Sequence, residues 1–79
     1  MSKNLEKYNH IFMTNFKKSE EELSELKYRK LPAWDSVGHM DLIADLEEAF
    51  DISMETPDML GFSSYEKGKE ILRKYGVEM

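Results

Sequence analysis

The sequence predicts an all-α fold: a small four-helix bundle with a long first loop and a short third helix. Apolar residues recur every three or four positions in separate stretches, which is helical spacing. Ser-x-x-Glu pairs and a Thr-Pro stand where helices would begin. No stretch alternates apolar and polar residues as a half-buried strand does. At 79 residues the chain is expected to form a single domain, 1–79, around one modest core.

Leu5, Tyr8, Phe12 and Phe16 make the first apolar stripe, with Ile11 and Met13 nearby, over roughly residues 4–17. Lys17 and Lys18 suit the negative end of that helix's dipole. Ser19 followed by Glu22 is a capping-box pattern, and Glu20, Glu21 and Glu22 favour a first turn. Leu23 and Leu26 would anchor one or two turns. Lys27-Tyr28-Arg29-Lys30-Leu31-Pro32 reads as a loop pinned by Leu31, because Pro32 disfavours helix at the residue before it.

The next helix is expected from about Ser36 to Phe50. Leu42, Ile43, Leu46, Ala49 and Phe50 share one face, with His39 one turn earlier. Asp51-Ile52-Ser53-Met54 reads as irregular or extended. Thr56 as cap and Pro57 as first helical residue would open a single turn through Asp58, Met59 and Leu60, closed by Gly61. Ser63 and Glu66 form a second capping box. The last helix carries Tyr65, Gly68, Ile71, Leu72 and Tyr75 on one side, and Gly76 falls just past its end. Glycine inside a helix costs about 1 kcal/mol against alanine, so Gly68 is expected where another helix comes close. Leu42, Leu46, Phe50 and Leu72 are expected to be largely buried.

The absence of cysteine excludes disulfides, a thiolate nucleophile and a Cys-based zinc site, and it favours a reducing compartment. Met1 to Lys7 lacks the apolar core of a signal peptide. No apolar run approaches the ~20 residues needed to span a bilayer. A soluble, cytoplasmic protein without membrane insertion is the expectation.

The net charge of -5 is unevenly spread, because no Lys or Arg occurs between Leu31 and Glu66. Asp35, Asp41, Asp45, Glu47, Glu48, Asp51, Glu55 and Asp58 crowd into residues 35–58 and leave the remainder net positive. Such a centre argues against nucleic acid, whose phosphates need clustered Lys and Arg. It favours partners with basic patches, the alternative being a solvated face that only keeps the chain soluble.

Asp35 and Ser36 stand at the start of the central helix, and both are ordinary N-cap residues. Free backbone N–H groups and the positive dipole end at such a start suit a phosphodiester. Asp35 opposes one by placing a like charge beside it. The outer face of the helix carries Val37, Met40, Asp41, Ala44, Glu47 and Glu48, apolar residues ringed by acids, which suits transient docking. Ser36, His39 and Asp35 superficially suggest a hydrolase triad. Consecutive Asp and Ser cannot easily set the Asp behind the His, and no Gly-x-Ser-x-Gly elbow is present. His39 reads as a partly buried packing residue. His10 has no assigned role, and two distant His residues without cysteine do not suggest a zinc site.

The stretch Asp35-Ser36-Val37-Gly38-His39-Met40-Asp41-Leu42 resembles the Asp-Ser-Leu attachment motif of acyl carrier proteins. The resemblance continues through Leu46-Glu47-Glu48-Ala49-Phe50-Asp51-Ile52, Thr56-Pro57 and the final helix. It covers the last half of the chain well and the first helix only by pattern. Asp-Ser alone says little. Asp-Ser opening an amphipathic helix that ends in Leu-Glu-Glu-x-Phe, in a short acidic chain, is specific.

The resemblance implies a bundle of acyl-carrier type that catalyses nothing itself. A phosphopantetheinyl transferase would attach 4′-phosphopantetheine to Ser36, and the arm's thiol would carry acyl groups as thioesters. Asp35, Val37, Met40, Asp41, Ala44, Glu47 and Glu48 would dock onto basic patches of that transferase and of acyl-loading and acyl-processing enzymes. The carrier would act as a monomer, delivering intermediates in fatty-acid, polyketide or another specialised biosynthesis. Trp34 stands where a small residue is common, Val37 replaces Leu, Gly38 replaces a frequently acidic residue, and His39 falls on the apolar face. With these departures the chain looks more like stand-alone carriers of specialised pathways. An aminoacyl or peptidyl carrier, or an unmodified acidic interaction module, are the other readings.

Overall fold

The computed structural model describes residues 3–79, so Met1 and Ser2 of the N-terminal stretch lie outside the described residues. The first helix, α1, spans Lys3–Phe16 and buries Tyr8, Phe12 and Phe16 as the stripe predicts. It stops at Lys17, whose φ is +54° and whose N–H reaches the Met13 carbonyl at 2.8 Å.

The Ser19 capping box forms but opens a 3₁₀ segment, Glu20–Glu25. The Glu22 carboxylate accepts the Ser19 N–H at 3.1 Å and the Ser19 hydroxyl at 3.0 Å. Leu23 and Leu26 are both buried. Residues three apart align on a 3₁₀ helix, so this tighter winding aims both leucines at the core.

The following loop is pinned chiefly by Trp34, which is wholly buried, while Leu31, expected to pin it, is half-buried and packs against the same core. Ring area decides this, since a buried indole removes far more apolar surface from water than a leucine at a turn.

The second helix, α2, spans Ser36–Phe50 as expected. Asp35 caps it by accepting the Gly38 N–H at 2.9 Å, and Asp51 ends it in the left-handed region. Leu42, Ile43 and Leu46 are buried. Phe50, expected to be buried, is half-exposed with the Lys7 ammonium 5.7 Å from its ring centroid.

The third helix, α3, is Thr56–Gly61, and its cap is Glu55, one residue before the expected Thr56. The fourth, α4, is Tyr65–Arg73 and is capped by Ser64, not Ser63; the Ser64 hydroxyl accepts the Lys67 N–H at 3.0 Å. The Ser63 carbonyl is taken by the Tyr28 N–H at 2.9 Å, beside a lone antiparallel bridge between Lys27 and Ser64. No strand forms among the described residues. Beyond α4 the chain turns through Gly76 at φ +84°, and Val77 returns to the core.

α1 packs along α2, and the 3₁₀ segment packs between α1 and α4. Phe12 is the centre of the core. Its ring lies 4.8 Å from Tyr8, 5.7 Å from Phe16, 5.5 Å from Trp34, 6.2 Å from Phe62 and 5.3 Å from Tyr65. Gly68 is closely approached, though by side chains and not by the body of another helix: a Cβ there would fall 2.2 Å from both the Phe62 ring and the Tyr8 hydroxyl. That hydroxyl is buried and donates to the Tyr65 carbonyl at 2.6 Å. Burial pushes the Tyr8 phenol well above its ordinary range, so it stays a donor.

Candidate functional site

The start of α2 is fixed to the core from several sides. The Trp34 ring is buried, its carbonyl accepts the Arg29 N–H at 3.1 Å, and its N–H reaches the Leu31 carbonyl at 2.9 Å. The loop lies so close across the first turn of α2 that a Cβ on Gly38 would sit 2.1 Å from the Ala33 carbonyl oxygen. This explains glycine at a position where the resemblance leads one to expect an acid.

Ser36 is the first residue of α2 and is exposed. Two side chains from the preceding loop converge on it: the Tyr28 hydroxyl and the Arg29 Nη2 each stand 3.5 Å from Ser36 Oγ. The Arg29 guanidinium also lies 5.2 Å from the Tyr28 ring centroid. The Ser36 hydroxyl first, and Arg29 second, hold the Tyr28 phenol below its ordinary value of 10.0. Sequence reasoning left both residues in an unassigned loop. The available signal was a Tyr-Arg-Lys run standing just before a long stretch without Lys or Arg.

His39 makes two hydrogen bonds. Trp34 Nε1–H donates to His39 Nδ1 at 2.9 Å, and His39 Nε2 lies 2.8 Å from the Met59 carbonyl. Because Nδ1 accepts, the ring proton sits on Nε2 and is donated to Met59. His39 therefore ties the first turns of α2 to α3. Its nitrogens are engaged by Trp34 and Met59, so the triad arrangement with Ser36 is not formed.

The proposed docking residues divide. Asp35, Val37, Met40, Asp41, Ala44 and Glu48 are exposed, with Val37 at 71% and Met40 at 56%. Glu47 departs from the expected outward face. It is half-buried, and its carboxylate accepts the Met54 N–H at 2.8 Å, so it braces the turn after α2. Leu60 on α3 was not singled out by sequence, yet at 79% it is a strongly exposed apolar residue. Asp58 belongs to the acidic run, but its charge is paired: Lys74 lies 2.7 Å from Oδ1, and the Tyr75 hydroxyl donates to Oδ2. Those two hydrogen bonds hold the Asp58 carboxyl below the usual carboxylate range.

No helix among the described residues is long and apolar enough to cross a membrane. No protein-family model matches this chain, and no curated protein or solved structure is similar enough to count as a match.

Proposed function

We propose that this chain is a carrier protein of acyl-carrier type, with Ser36 as the attachment point for 4′-phosphopantetheine. The observation that carries this reading is the exposed Ser36 hydroxyl on the first residue of α2, with a cation and a phenol directed at it, inside the Asp-Ser motif. The long first connection and the short α3 support the same architecture. A phosphodiester fits these surroundings, since Arg29 supplies positive charge beside the residue that would bear it.

In the loading reaction Ser36 Oγ forms the new bond to phosphorus. The pyrophosphate bond of coenzyme A breaks, adenosine 3′,5′-bisphosphate leaves, and the serine proton passes to the transferase. The bound arm supplies a thiol that holds cargo as a thioester. The chain's own residues do the rest: α2 presents Ser36, and Val37, Met40, Asp41, Ala44 and Glu48 form a surface for basic patches on acyl-loading and acyl-processing enzymes. The buried Trp34 and the close approach of the Ala33 carbonyl to Gly38 keep that surface in register with the serine. The cargo belongs to fatty-acid, polyketide or another specialised biosynthesis.

The test is intact mass after incubation with coenzyme A and a promiscuous phosphopantetheinyl transferase. The wild-type chain gains one arm and Ser36→Ala gains none. A wild-type chain left unmodified by several transferases would return it to the class of acidic interaction modules.

A further inference from the structure

We infer that Tyr28 and Arg29 form a clamp for the phosphodiester of the arm, holding the arm's first atoms against the protein surface. This rests on the carrier reading of Ser36 and adds two residues to the site.

Both side chains are positioned by the fold. The Tyr28 N–H bonds to the Ser63 carbonyl at 2.9 Å, and its ring lies 5.0 Å from His39 and 6.4 Å from Trp34. Arg29 has φ +66°, a region that few non-glycine residues occupy, and its N–H is held by the carbonyl of the buried Trp34. The backbone is thus fixed in a conformation that the local sequence does not favour.

Arg29 is also chemically available. None of the ion pairs among the described residues uses it. Its Nη2 stands 3.5 Å from the neutral Ser36 hydroxyl, a long separation for a hydrogen bond. The Tyr28 hydroxyl stands equally far back. A phosphodiester on Ser36 Oγ adds two non-bridging oxygens that share one negative charge. A guanidinium fork and a phenol can both donate to such oxygens, and charge-assisted bonds of this kind are shorter and stronger than those to a hydroxyl. Arg29 also answers the electrostatic objection raised by Asp35, because a cation now stands beside the residue that would carry the phosphate.

The test uses the loaded, full-length chain and phosphorus NMR. In wild type the arm's ³¹P resonance should be shifted relative to that of a short phosphopantetheinyl-serine peptide, which is the same phosphodiester without the clamp, and added salt should move it toward the peptide's position. Arg29→Gly removes the side chain while suiting the left-handed backbone, so the fold should be retained. In that variant the ratio of held to free arm should fall roughly two- to fivefold, as expected for an exposed charge pair. Tyr28→Phe should give a smaller loss, and Arg29→Lys should restore part of it. Identical spectra for loaded wild type and Arg29→Gly would overturn the clamp and leave the carrier reading standing. Failure to load wild type at all would overturn both. A folded Arg29→Gly chain that the transferase cannot load would assign Arg29 to the transferase interface, which also overturns the clamp.

Discussion

Replacing Gly38 by alanine sets two effects against each other at the site itself. On helix propensity alone Gly38→Ala should stabilise α2 by about 1 kcal/mol. Space says otherwise. The new Cβ would lie 2.1 Å from the Ala33 carbonyl oxygen and 3.3 Å from its carbon, where clearances under 3.0 Å are essentially never seen. The obstacle is backbone, and Trp34 beside it is wholly buried, so the loop cannot simply swing away. Either Ala33 or the first turn of α2 must retreat by about 1 Å, and overpacking of this kind costs roughly 1–3 kcal/mol. A retreat also stretches the 2.9 Å bond from the Gly38 N–H to the Asp35 carboxylate, a cap worth about 1 kcal/mol. The net expectation is a loss of roughly 1–3 kcal/mol in urea unfolding. Phosphopantetheine loading should slow as well, because Ser36 moves with that turn. A variant about 1 kcal/mol more stable than wild type would refute the reasoning, for it would show that propensity alone operates at this position.

Other substitutions probe the polar ties and the surface. His39→Phe should leave the buried Trp34 indole N–H without its acceptor, costing roughly 1–3 kcal/mol in denaturant unfolding and speeding exchange of that indole proton. The Asp58 carboxyl, held below its ordinary value of 3.8 by Lys74 and Tyr75, contributes stability that is present above that value and is lost as pH falls through its depressed folded value. Asp58→Asn should therefore flatten the pH dependence of thermal unfolding below about pH 4 and leave its shape near neutrality unchanged. Reversing Asp41 and Glu48 to Lys should slow transferase association and weaken its salt dependence, while each change shifts stability by about half a kcal/mol or less. Glu47 is omitted from that set because its carboxylate holds the Met54 N–H, so Glu47→Lys should destabilise the chain.

The bounds of α2 were legible because cap, apolar stripe and serine agree within one short stretch. The apolar stripe of α1 and the crowding at Gly68 were legible for similar reasons of local pattern. The misreadings share a different cause. Ser63 fits the capping pattern better than Ser64, but a bond from Tyr28 takes its carbonyl and Ser64 caps instead. Helical period puts Glu47 on the outer face, yet the left-handed turn at Asp51 brings the Met54 N–H back to it. Leu31 has the better local argument as loop anchor, and the size of the Trp34 ring overrides it. The place of Ser36 at the start of α2 was legible, whereas the approach of Arg29 to it was not. Its direction depends on a left-handed backbone held by the Trp34 carbonyl, and nothing local to Lys27–Lys30 encodes that.

α3 buries none of its residues, although Met54 just before it and Phe62 just after it are both buried. Between those two pegs the helix is held from its middle, by the half-buried Met59 side chain and by polar ties: Asp58 to Lys74 and Tyr75, and the Met59 carbonyl to His39. Releasing it uncovers no fully buried residue of its own, so its opening free energy should lie below that of the whole domain. Its amides should exchange with solvent deuterium sooner than those of α1 or α2, as a small cooperative unit of their own. The surface bearing Leu60 can then rearrange without melting the aromatic centre around Phe12. On the carrier reading, the chain would combine a serine fixed to a packed core with a short helix that opens separately from it.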